Sequence, residues 1–224
     1  MQTGMQNKKL LYIGLFAVAM AYVESAVVVY LRRLYGIRDL MTSVPPFDSQ
    51  IGAIEVGREL ATLVMLLVVG LVAGKKFQSR LGFAIFAFGL WDIFYYFWLK
   101  VFINWPKSFL DMDILFLFPL PWWGPVLAPM LIAALMAVGG ARAAMLDESG
   151  IEVRFSLRQW AALGSGILIL LYTFMADALT ALPADTETLT RLKPTPFNWP
   201  AYLISLALAS FITWRAFWPS VRRP

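Results

Sequence analysis

Glu55, Arg58 and Glu59 sit near the start of an otherwise apolar run, IGAIEVGRELATLVMLLVVGLVAG, at residues 51–74. Their i, i+3, i+4 spacing puts all three on one face of a helix. Two carboxylates beside a guanidinium can hold an ion pair, share a proton or grip the polar end of a ligand. Charges at membrane depth are costly and usually face a bundle interior or a watery cavity, so this run is expected to contribute to a polar site.

Further candidates lie in other apolar runs. Glu24 falls late in the first, and Asp92 falls near the middle of LGFAIFAFGLWDIFYYFWLKVFI at residues 81–103. Asp92, Tyr96 and Lys100 follow one another at i, i+4 and i+8, with Tyr95 and Trp98 close by. The stretch FPLPWWGP adds Trp122 and Trp123. Glu59 and Asp92 are the acid/base candidates, because a carboxyl group in a low-dielectric pocket can hold a proton and deliver it as a general acid. Arg58 would orient them or an anionic group of a ligand, with Glu24 and Glu55 as its partners. Tyr95, Tyr96, Lys100, Trp122 and Trp123 complete the expected ligand-binding set, and their rings, with those of Trp91 and Trp98, could stabilise a carbocation through their faces.

The residues that are missing narrow the chemistry. With no His and no Cys there is no imidazole-ligated haem, thiolate metal site, Ser-His-Asp triad or disulfide. No metal site is expected, and any cofactor remains unknown. An all-oxygen cluster would suit Mg²⁺, Ca²⁺ or Mn²⁺ if it held a cation at all. Gly-rich phosphate loops are missing too, and Asp111-Met112-Asp113 falls short of an acidic diphosphate motif.

These residues must be positioned by membrane-spanning helices. The chain has 224 residues, of which 60% are hydrophobic and 15% charged, whereas a soluble domain would be nearer half apolar and a quarter charged. Runs such as Leu60–Ala73 do not alternate, which argues against a barrel. The expected fold is an all-α integral membrane protein, one bundle over residues 1–224 with six spans at about 10–31, 51–74, 81–103, 114–138, 159–181 and 200–218. A signal peptide is a poor reading of the first run, which is long and carries Glu24. Pro119, Pro121, Pro125 and Pro129 cannot share one regular helix, so the fourth span should be broken, with FPLPWWGP as a short re-entrant turn and a helix starting near Gly124-Pro125.

Four packing and capping signals accompany the spans. Ala17, Ala21 and Ser25 form a small-residue stripe, and Gly70 and Gly74 make a GxxxG pair. Asp48 or Ser49 should cap the second span, and Ser156 with Gln159 has capping-box spacing before the fifth.

Lys8, Lys9, Lys75, Lys76, Arg80, Arg142, Arg154, Arg158, Arg215, Arg222 and Arg223 fall on one side of such a bundle. They outnumber Arg32, Arg33, Arg38, Lys100, Lys107, Arg191 and Lys193 on the other, so both termini are expected in the cytoplasm of a bacterial inner membrane. The net charge of +5 then reflects cytoplasmic loops and anionic lipid contact rather than nucleic acid.

Depth links the candidates. At 1.5 Å per residue Glu24 lies roughly 21 Å into its span, and Glu59 about 12 Å into the reversed second one, nearly level with it. Asp92, Asp177 and FPLPWWGP fall in the same half of the bilayer. One carboxylate, arginine and aromatic site is therefore expected there. It suits a lipophilic-ligand pocket or an accessory subunit of a membrane complex. An acid/base isomerase, cyclase or transferase on a lipid or isoprenoid is the first alternative, and a small proton- or cation-coupled transporter the second. Membrane lipids are the expected partners, together with other membrane subunits or a second copy.

Overall fold

The computed structural model describes residues 2–37, 41, 48–190 and 192–217, and for 2–5, 186 and 190 the backbone alone. Arg38, Arg191, Arg222 and Arg223, counted above for orientation, lie outside the described residues, as do Pro45 and Pro46.

Seven helices and one two-stranded sheet make up the described elements, in the order α1 (Gln2–Leu34), α2 (Ser49–Ala73), α3 (Phe77–Ile103), β1 (Met112–Ile114), β2 (Trp123–Pro125), α4 (Leu127–Glu148), α5 (Leu157–Ala181), α6 (Thr186–Thr190) and α7 (Trp199–Phe217). Six of the helices, all but α6, are long and apolar enough to cross a membrane. The protein is therefore a multi-pass membrane protein, its described elements helical apart from this one short hairpin.

Local sequence sets the helix ends. The Asp48 carboxylate accepts from Gln50 N and Ile51 N at 2.9 and 3.1 Å, satisfying two of the free amides that open α2. Ser156 Oγ accepts from Gln159 N at 3.3 Å while Gln159 Oε1 accepts from Ser156 N at 2.8 Å, a complete capping box. Asn104 closes α3 in the left-handed conformation at φ 52°.

The centre of the bundle is α3, packed against α1, α2 and α4, while α5 pairs with α7 and α4 touches α7. Lipid offers little hydrophobic drive for helix association, so close van der Waals contact must supply it. The small-residue stripe does this on α1: Ala17, Ala21 and Ser25 have no exposed surface, and Ser25 Oγ donates to Ala21 O at 2.7 Å and Tyr95 O at 2.9 Å. A Cβ at Gly70 would lie 2.5 Å from Ala84 N, and one at Gly89 only 2.4 Å from Ala133 O. Those two glycines let α2 and α4 approach α3 backbone to backbone.

The fourth helix departs from the expected boundaries. It begins at Leu127, two residues past the start expected near Gly124-Pro125, and continues to Glu148, well beyond the expected end at 138. Pro119, Pro121 and Pro125 precede it, and Pro129 sits in its first turn, where a missing N–H costs nothing. The apolar run from Ile114 is instead a hairpin, with Met112 opposite Pro125, Asp113 opposite Gly124 and Ile114 opposite Trp123. Its hydrophobicity reflects burial against helices, since Trp123, Gly124, Pro125 and Val126 are all buried. At the other end of α4, Asp147 Oδ2 accepts from Ser79 N at 3.1 Å and Glu148 pairs with Lys9 at 2.9 Å, so polar residues expected in a connection serve the helix.

Candidate functional site

Late turns of α1, α3 and α5 meet early turns of α2 and α4 at one end of the bundle, and the hairpin folds in beside them. A cavity of about 130 Å³ opens there, ample for more than one water. Glu24, Arg58, Glu59, Asp92, Tyr95, Tyr96 and Trp122 line it, together with Trp91, Phe116 and Phe174. Residues from five helices and the intervening loop thus converge on one space.

Arg58 organises the acidic side. It pairs with Glu24 across to α1, and its Nε donates to Glu55 Oε2 at 2.8 Å within α2. Thr62 Oγ1 donates to the second Glu24 oxygen at 3.1 Å, so Glu24, only 8% exposed, is satisfied on both oxygens. Glu59, 7% exposed, accepts Leu117 N–H on both oxygens at 3.0 Å. That contact ties the loop after β1 to α2.

Asp92 is different. Among the described residues its carboxylate accepts no hydrogen bond, although it lines the cavity. The indole N–H groups of Trp91 and Trp122 are likewise buried without an acceptor, and Trp91 is 5% exposed. Buried polar groups in a folded protein normally find partners, so two unanswered indoles on a cavity that Asp92 also lines mark where a ligand or ordered water would bind. The wall between them is a chain of rings. Trp91 contacts Tyr95 and Phe116, Phe116 contacts Trp122 edge-on at 5.3 Å, and Trp122 stacks on Phe174 at 6.4 Å.

Three expected site residues lie off the cavity wall. Glu55 stays one shell back through its pair with Arg58. Lys100 is exposed near the end of α3 and donates to Pro106 O at 2.8 Å, where a loop carbonyl is nearer than the cavity. Trp123 is buried in β2 opposite Ile114. Asp177, which depth alone placed at this level, instead accepts from Thr195 Oγ1 at 2.6 Å and Thr195 N at 3.1 Å, holding the segment before α7 against α5.

Sequence reasoning missed a second buried ion pair. Arg32 Nη2 lies 3.2 Å from Asp113 Oδ1, and its guanidinium stacks 4.0 Å from the centre of the Trp105 ring. Asp113 is 2% exposed. Burial pushes its carboxyl up to about 6, against the opposing pull of Arg32, the Tyr96 hydroxyl and the Ile114 N–H. A signal existed, because Glu24, Val28 and Arg32 repeat at i+4 along the buried side of α1.

Chemically, among the described carboxylates that line the cavity, Asp92 is the one with no hydrogen-bond donor on its oxygens. Glu59 has its oxygens occupied by backbone. No family model matches the chain, and no curated protein or solved structure matches it either.

Proposed function

We propose that the protein binds a lipophilic molecule in this cavity, with the molecule's polar end among Asp92, Arg58 and Glu24 and its apolar body along the aromatic wall. The observation that carries this reading is the coincidence of a cavity lined by Asp92 with two buried indoles, of Trp91 and Trp122, that find no acceptor. Ligand pockets are mostly apolar with a few convergent polar groups, and this lining has that character.

The setting we propose is a bacterial inner membrane, with both termini in the cytoplasm. Lys8, Lys9, Lys75, Lys76, Arg80, Arg142, Arg154 and Arg158 cluster at the end of the bundle opposite the cavity, and such a cationic bias marks the cytoplasmic face. The cavity then opens in the outer leaflet half. In that setting the hairpin from Met112 to Pro125 sits at membrane depth, so the fourth span begins as a proline-rich loop before α4. Irregular backbone is tolerated there only when buried in protein, which suits the buried β2.

The test is mass spectrometry of an organic extract from protein purified out of its own membranes into lipid nanodiscs. Wild type should carry a lipophilic molecule in near-stoichiometric amount, and Asp92→Asn should lose most of it while remaining monodisperse. Bulk phospholipid alone in both samples would refute the reading.

A further inference from the structure

Resting on that proposed pocket, we infer that its ligand is a lipophilic organic cation, an amine or quaternary ammonium carried on an apolar body. Charge around the cavity is the first reason. Glu24, Glu59 and Asp92 line it against a single guanidinium, Arg58, and that guanidinium is already engaged by Glu24 and by Glu55 behind it. Lys100, the nearest further cation on α3, is turned to Pro106 O. An anionic head group would therefore meet three acids and a guanidinium already shared between two carboxylates. A positive one would give Asp92 the partner a carboxylate needs in order to ionise in a low-dielectric place.

The wall supplies the second reason. Ammonium groups are attracted to the faces of Trp, Tyr and Phe, and aromatic cages are the usual means of holding quaternary ammonium. Trp91 and Trp122 line the cavity within a continuous chain of rings. A metal ion fits less well than an organic cation. Among the described residues no three carboxylates converge closely enough to coordinate one, and single-point contact with Asp92 suits a bulky, weakly hydrated cation. The unanswered indole N–H of Trp91, itself nine-tenths buried, adds that the ligand carries an oxygen acceptor close to its positive centre.

The experiment holds the tail constant and varies the head. Dodecyltrimethylammonium, dodecanol and dodecanoate are titrated into the full chain in neutral-lipid nanodiscs, and quenching of tryptophan fluorescence is followed. The ammonium probe should bind at least tenfold more tightly than dodecanol, and dodecanoate should bind most weakly. Asp92→Asn should remove most of the ammonium preference and leave dodecanol binding nearly unchanged. Trp91→Phe, which keeps the ring but not the N–H, should preserve that preference, so a variant that fails to fold does not decide the matter alone. Dodecanol or dodecanoate binding as tightly as the ammonium would overturn the cationic assignment while leaving the pocket intact. No saturable binding of any probe would overturn both.

Discussion

Asp113 and Arg32 illustrate how burial and pairing compete at a single residue. The carboxyl has an ordinary value of 3.8 and is pushed to about 6 in the fold, so desolvation outweighs the guanidinium beside it. Below about pH 4 both folded and unfolded chains hold this proton. As pH rises the unfolded chain releases it first, so the group's contribution to stability falls until about pH 6 and is flat above that. By linkage the loss is at most about 3 kcal/mol. Unfolding followed by heating in detergent should therefore show wild type losing more stability between about pH 4 and pH 7 than Asp113→Asn does. Equal pH dependence in the two proteins would contradict the assignment. Much of the cavity lining was legible in the sequence, because a charge in a long apolar run has few places to go but inward. Glu24, Arg58, Glu59 and Asp92 carry that signal. Asp113 does not, since an acid in a polar loop looks solvated until the hairpin register buries it beneath Arg32.

Helices α3 and α4 meet at the scale of elements, and their contact depends on what is missing at Gly89. A Cβ there would lie 2.4 Å from Ala133 O and 2.6 Å from Ala137 N, both backbone atoms that cannot step aside alone. Gly89→Ala should destabilise by about 1–3 kcal/mol or more through overpacking. Gly57→Ala, at a site on α2 with nothing within 4 Å, should stabilise by up to about 1 kcal/mol through helix propensity. Thermal unfolding of the two variants in one detergent checks this, and a milder effect at Gly89 than at Gly57 would contradict the packing. Hydropathy locates the helices well where a run is both apolar and uninterrupted, as in α2 and α5. It misplaces the start of α4 because Ile114–Trp123 is apolar for a different reason, namely burial of a hairpin among helices. Prolines 119, 121 and 125 carried the correct hint that this run is not helical.

Taken whole, the molecule is polarised along its length. One end holds Lys9 on Glu148 and Ala73 O, with Asp147 on the amide of Ser79, clamping the starts of α1 and α3 to the ends of α2 and α4. The other end is spread around a cavity, and its loop is held by two acid contacts, Glu59 on Leu117 N–H and Asp113 on Arg32. A tight end and a loosely filled end suit a protein that admits something from one leaflet. An experimental density map of protein purified from its own membranes tests this most directly. The account predicts elongated density that is not protein, running along Trp91, Phe116 and Trp122, with its polar end about 3 Å from the Asp92 carboxylate. A cavity collapsed by side chains, with Asp92 hydrogen-bonded to protein or turned to lipid, would contradict it.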